Sequence, residues 1–196
     1  ALKAWMEKGE KASDLVVTDT LDENVFTDLD AGKTVVLFYE YGADRNTWQM
    51  PGAMERFKPC IWDRGSNLGG IFKNKAVAES VAADKYFDLN MQPLLDLGSK
   101  VNLDNWPCPV KTHIIGVDKP VRDRYRASRD GIKDFIPEDT LRRFSHLFSV
   151  KIGQGQLIVC TFNLSKPETA VTANFLQLLV DRTEVLTADS GMSVEA

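Results

Sequence analysis

Between Phe148 and Val180 the chain reads as a strand, a tight turn, a second strand and a long helix, and this order limits what the rest can build. Phe148, Val150 and Ile152 alternate with polar or small neighbours, whereas Leu157-Ile158-Val159-Cys160 is a continuous apolar run. Alternation suits a strand with one wet face; an unbroken run suits a strand covered on both. Gly153-Gln154-Gly155 lies between them, and glycines let the backbone reverse where positive φ is required. Ser165-Lys166-Pro167-Glu168 offers a hydroxyl and, three residues on, a carboxylate, the pattern of a capping box with proline in the first turn. Val171, Phe175, Leu178 and Leu179 then share one helical face. A hairpin followed by a helix that docks on it predicts an α/β layer whose other strands come from earlier in the chain.

The N-terminal half supplies them. Leu15-Val16-Val17 reads as a short strand, and Thr20-Leu21-Asp22-Glu23 as a capping box opening a helix with Val25 and Leu29 inward, ended at Ala31-Gly32. Thr34 to Tyr39 is β-branched, aromatic and uncharged, so it predicts a buried strand. Strand, helix and strand joined by short connections form a βαβ unit on a parallel sheet. Val110 to Val117 predicts a further strand, Ala76, Val77 and Val81 a helix, and Met91 to Leu97 a short helix stopped by Gly98. Leu2, Trp5 and Met6 mark a helix ending near Gly9. Because the chain starts inside that helical pattern, it reads as a single α/β domain, residues 1–196, cut from a larger protein.

Composition narrows the function classes. The 196 residues, 43% of them hydrophobic, suffice for one sizeable core. A net charge of −4 gives no basic field to hold nucleic acid, and no apolar run is long enough to span a bilayer. Arg122, Arg124, Arg126 and Arg129 are interleaved with Asp123 and Asp130, which reads as a solvated face rather than an anion site.

Catalytic signatures are missing. Cys60, Cys108 and Cys160 show no metal-ligand spacing, and none has a glycine two residues before or after it, as a nucleophile elbow would need. Cys160 reads as a core residue; Cys60 and Cys108 lie beside prolines, where a disulfide between them stays open. His113 and His146 sit in strand patterns and read as structural. Gly153-Gln154-Gly155 enters a strand, so it is no phosphate loop. No cofactor or metal is implied. The segment after the Thr34–Tyr39 strand is different: Tyr41, Asp44, Arg45, Asn46 and Trp48 crowd where open α/β sheets place ligand crevices, beyond the carboxyl end of a strand.

One run carries a resemblance. Lys58-Pro59-Cys60-Ile61-Trp62-Asp63-Arg64-Gly65-Ser66-Asn67-Leu68-Gly69-Gly70-Ile71, followed by Asn102-Leu103-Asp104 and the Gly153 to Leu164 hairpin, resembles an accessory domain of β-galactosidase-like, sugar-binding proteins of glycoside hydrolase family two. The likeness runs from about Trp5 to Val180. It implies a flavodoxin-like, class I glutamine amidotransferase-like three-layer sandwich with a mainly parallel sheet and a C-terminal hairpin. It also implies that the glycosidase carboxylates belong to a separate barrel of the parent, leaving this segment without catalytic residues of its own. Neighbouring domains of the parent are then its partners and a glycan its candidate ligand, with Tyr41, Trp48, Trp62, Asp63, Arg64 and Asn67 as the contact residues. Aromatic faces stack on sugar rings while carboxylate, guanidinium and amide groups share the hydroxyls. Two other readings stay open: a hydrolase or amidotransferase using Cys60 or Asp63, and an oligomerisation module.

Overall fold

Thr34 to Phe38 extends because two adjacent valines and a following aromatic pack better on a pleated surface than on a helix, and this strand lies inside the sheet. The computed structural model describes residues 14–40, 43–48, 50–51, 54–56, 70–91, 94, 99–104, 106–117, 143–162, 164 and 169–187. Within them the strands are β1 (Leu15–Thr18), β2 (Thr34–Phe38), β3 (Met54–Arg56), β4 (Gly70–Phe72), β5 (Ser99–Asn102), β6 (Val110–Gly116), β7 (Phe144–Ile152) and β8 (Gly155–Cys160). The helices are α1 (Glu23–Asp30), α2 (Lys75–Ser80) and α3 (Ala170–Asp181), with 3-10 turns at Leu89–Met91 and Thr183–Leu186.

The strands form one mixed, open sheet. β1, β2 and β8 run parallel in that order, and β7 returns antiparallel beside β8. β6 then pairs with most of β7, β5 with its first two residues, β4 with β6 and β3 with β5, all antiparallel. The expectation of a mainly parallel sheet is therefore corrected: only the pairings among β1, β2 and β8 are parallel. The two-residue link between Ile152 and Gly155 can join only antiparallel neighbours, and the remaining strands build outward from β7. β3, β4 and β5 escape the sequence reading because three or four residues are too few to display a period.

Helices cover both faces. Val35, Leu37, Phe148, Val150, Leu157 and Val159 pack with Leu21, Val25 and Leu29 of the α1 region. Val36, Phe38, Leu147, Ile158 and Cys160 pack with Val77 and Ala78 of α2 and with Phe175, Leu176, Leu178 and Leu179 of α3. This alternation explains why Leu157 to Cys160 carries no polar residue: each successive side chain enters a different apolar layer. Burying a side chain of this size contributes about 1.5–3 kcal/mol, so the central strands hold most of the driving force.

The caps differ from expectation by a few residues. Asp22, rather than Thr20, caps α1, its carboxylate accepting from the amides of Asn24 and Val25, and Gly32 leaves the helix at φ +83°. α3 begins after Thr169, whose hydroxyl accepts from the Thr172 amide while the Thr172 hydroxyl accepts from the Thr169 amide. The Ser165–Glu168 box, the helix near Trp5, the Arg122–Arg129 run and most of Met91–Leu97 lie outside the described residues. Thr169→Ala removes the half of the α3 box made by the Thr169 hydroxyl, leaving the Thr169 amide on Thr172 Oγ1, and is expected to cost about 1 kcal/mol. A shift of the urea midpoint with an unchanged slope would report it.

Candidate functional site

Because β1, β2 and β8 are parallel, the segments that leave them emerge along one edge of the sheet. Residues 43–48 are fastened there. Asn46 accepts the Leu21 amide at its side-chain oxygen (2.9 Å) and donates to the Glu40 carbonyl (3.1 Å), so one amide joins the exits of β1 and β2. Arg45 repeats the bridge with its guanidinium: Nε donates to the Asp19 carbonyl (2.7 Å) and Nη2 to the Glu40 carboxylate (3.0 Å). The amides of Thr47 and Trp48 both donate to the Leu21 carbonyl.

This stapling presents Trp48. Its indole is 53% exposed and meets Phe26 of α1 edge to face, with ring centroids 5.4 Å apart. Large aromatic surface is seldom left in water without a supporting partner, and Phe26 provides one while leaving part of the ring open. The carboxylates of Asp19 and Glu40 lie in the same network and are themselves exposed. Chemically the edge offers a partly open apolar ring on the same short segment as a guanidinium paired with two exposed carboxylates. That combination suits a neutral polyhydroxylated ligand better than a phosphate, which the two carboxylates would repel.

Of the six residues expected to contact ligand, Trp48 stands at this edge; Tyr41, Trp62, Asp63, Arg64 and Asn67 lie outside the described residues. Arg45 and Asn46 were legible as neighbours of the site, but their role as staples between two strand exits depends on the parallel pairing.

Among the described residues, the thiols and imidazoles elsewhere in the fold are occupied structurally. Cys160 is fully buried on β8, and burial pushes its thiol up to about 12; burial also raises that of Cys108. Both are free thiols and neither is poised as a thiolate; Cys60 lies outside the described residues. His146 donates from Nδ1 to the Ser99 carbonyl (2.9 Å) and stacks on Phe162 at 4.9 Å. His113 bonds Ser149, Leu186 and Asn74. Burial lowers both imidazoles to about 4, helped at His113 by Lys111 and at His146 by Lys100. Asp104 accepts from the backbone and Nε of Arg143 (3.2 and 3.0 Å), closing the turn after β5 onto the start of β7. The Asn102-Leu103-Asp104 element is thus a structural clasp, with Leu103 buried in the core and Asn102 accepting the Asp104 amide. Among the described residues no group of histidine, cysteine and carboxylate side chains is arranged to hold a metal ion, and no helix is long and apolar enough to cross a membrane.

Comparison with protein-family models and with curated proteins found no match for this chain.

Proposed function

We propose that the chain is a non-catalytic α/β module of a carbohydrate-active enzyme, of the β-galactosidase-like glycoside hydrolase kind that its Trp62 loop resembles, and that it contacts glycan at the edge where β1 and β2 end. The observation that carries this reading is the half-exposed Trp48 indole, held by Phe26 on the same segment, 43–48, that pairs Arg45 with Asp19 and Glu40. The three parallel strands with helices on both faces, and the β7–β8 hairpin, support an amidotransferase-like core onto which antiparallel strands are added. The buried Cys160 and the occupied imidazoles favour an assisting role, with bond cleavage performed by a neighbouring domain of the parent.

Titration with β-galactosides and β-linked oligosaccharides, followed by tryptophan fluorescence and calorimetry, tests the proposal. Saturable binding is expected, weakened about tenfold in Trp48→Ala, since an aromatic contact of this type contributes about 0.5–1.5 kcal/mol. Among the described residues Phe26 is the ring's aromatic partner, and the indole is half exposed, so the variant should keep its far-ultraviolet dichroism. Absence of heat and of fluorescence change with every sugar at millimolar concentration would remove the glycan role.

A further inference from the structure

We propose that the 3-10 turn Thr183–Leu186 is an acid-released latch, held against the sheet by a hydrogen-bond array that only a neutral His113 completes. Three consecutive carbonyls at the end of the turn accept from three side chains of the body: Val185 from Asn74 Nδ2 (2.8 Å), Leu186 from His113 Nε2 (3.0 Å) and Thr187 from Lys111 Nζ (2.8 Å). Carbonyls at the end of a helical segment lack partners within it, so these bonds, together with the burial of Leu186, hold it down.

The array has one consistent set of protons. Asn74 caps α2 by accepting the Ala76 amide at Oδ1 (3.0 Å), which fixes the orientation of its side chain. Both protons on Nδ2 are then committed, one to the Val185 carbonyl and the other to His113 Nδ1 at 3.0 Å. Nδ1 is therefore an acceptor without a proton, and Nε2 carries the proton shared by Leu186 and Ser149 Oγ (2.9 Å). A second proton on Nδ1 would face the Asn74 amide, donor against donor. Rotating Asn74 to accept it would sacrifice the α2 cap and the Val185 bond, whereas opening of the turn frees Asn74 from Val185 and admits water to the ring, which can then hold its second proton. Leu186, fully buried among α2 and α3 side chains, would come out with the turn.

Lys111 on the same strand reinforces this direction, while the bond to the Leu186 carbonyl, which favours the protonated ring, opposes it without offsetting burial; Lys73 and Lys75 flank Asn74 in sequence, and Lys151 lies on β7. The nearby carboxylates are otherwise engaged: Glu79 pairs with Lys75 at 3.4 Å and Glu184 with Arg182 at 3.9 Å. With the buried ring at about 4 and an exposed ring near 6.5, closure is fully favoured above about pH 6.5 and is lost as pH falls towards 4.

Hydrogen exchange of the whole chain tests the latch. The Val185 amide, bonded to the Arg182 carbonyl, reports on the turn, and the Ile158 amide on the sheet. After correction for intrinsic rates, the open population at Val185 is expected to rise about fiftyfold between pH 7 and pH 4.5 while Ile158 stays protected. His113→Gln keeps a side-chain donor and acceptor without a proton to gain, so its Val185 exchange should be nearly independent of pH. If that variant folds poorly, the imidazole nitrogen shifts of the wild type serve instead, and protonation of Nδ1 must coincide with Val185 exposure. Protection at Val185 that does not change with pH, that is lost only together with Ile158, or that stays pH-sensitive in a folded His113→Gln protein would overturn the proposal.

Discussion

Gly155→Ala is expected to destabilise the protein by about 3 kcal/mol or more, at the upper end of what overpacking costs. A β-carbon at this position would lie 2.5 Å from the Lys33 carbonyl oxygen, 2.7 Å from that of Leu29 and 2.8 Å from the Leu29 α-carbon. All three atoms are backbone, at the C-terminal end of α1, and none can rotate away. Retreat of α1 is opposed by the bond from the Gln156 amide to the Lys33 carbonyl (3.1 Å) and by burial of Val25 and Leu29 against the sheet. Restricting the unfolded chain would return only about 0.4–1 kcal/mol. Gly153→Ala is the internal control. Gly153 has φ +59°, which costs an alanine about 1–2 kcal/mol, but its nearest neighbour is the Asp30 carboxylate at 2.8 Å, a side chain that can swing into solvent. Urea unfolding should therefore rank Gly155→Ala as the more damaging of the two. The reverse order would mean that the hairpin and α1 do not approach this closely.

That pair of glycines shows how far the sequence could be read. Two glycines around Gln154 announced a reversal, and the turn is there, but only Gly153 takes positive φ, as the first position of a type II′ turn does. Gly155 is required by a helix more than 100 residues away in sequence, a reason that no local pattern contains. The same division runs through the fold. Elements with long periods were legible: β2, β6, β8, the inward faces of α1 and α3, and the strand–helix–strand order at the start. Pairing direction beyond that unit was not, because β3, β4 and β5 are too short to announce themselves and their antiparallel attachment to β7 and β6 is set by tertiary contacts. Lys100 is the clearest case. Nothing in Ser99-Lys100-Val101-Asn102 marks a buried cation, yet its side chain is fully enclosed, with Nζ 3.8 Å from the centre of the Phe144 ring. At the candidate site, the position of Trp48 beyond β2 followed from the rule for strand ends, whereas the Arg45 and Asn46 staples needed the β1–β2 pairing to acquire meaning.

Acidification from pH 6.5 to pH 4 is expected to remove about 3 kcal/mol of stability for each of the two buried histidines. His113 and His146 are fully enclosed, and burial lowers both to about 4, against about 6.5 in an unfolded chain. In that interval the unfolded state binds protons that the folded state refuses, so stability increases with pH. The contribution is complete above about pH 6.5 and is lost as pH falls to the folded values. Near pH 5 unfolding should take up almost two protons, a slope of about 2.4 kcal/mol per pH unit from these groups alone. His113 discharges part of its share when the terminal turn opens, whereas His146 lies on β7 within the sheet and stacks on Phe162 and Phe87. His146→Phe separates the two contributions. The Ser99 carbonyl keeps a donor in Thr161 Oγ1 at 2.6 Å, so the substitution removes a titrating ring without orphaning that carbonyl. Urea denaturation at half-unit pH steps should then give a slope near half that of the wild type, whatever the midpoint of the variant at neutral pH. An unchanged slope would place the acid sensitivity on other groups, and a wild-type profile flat between pH 6.5 and 4 would mean that neither imidazole is held neutral by burial.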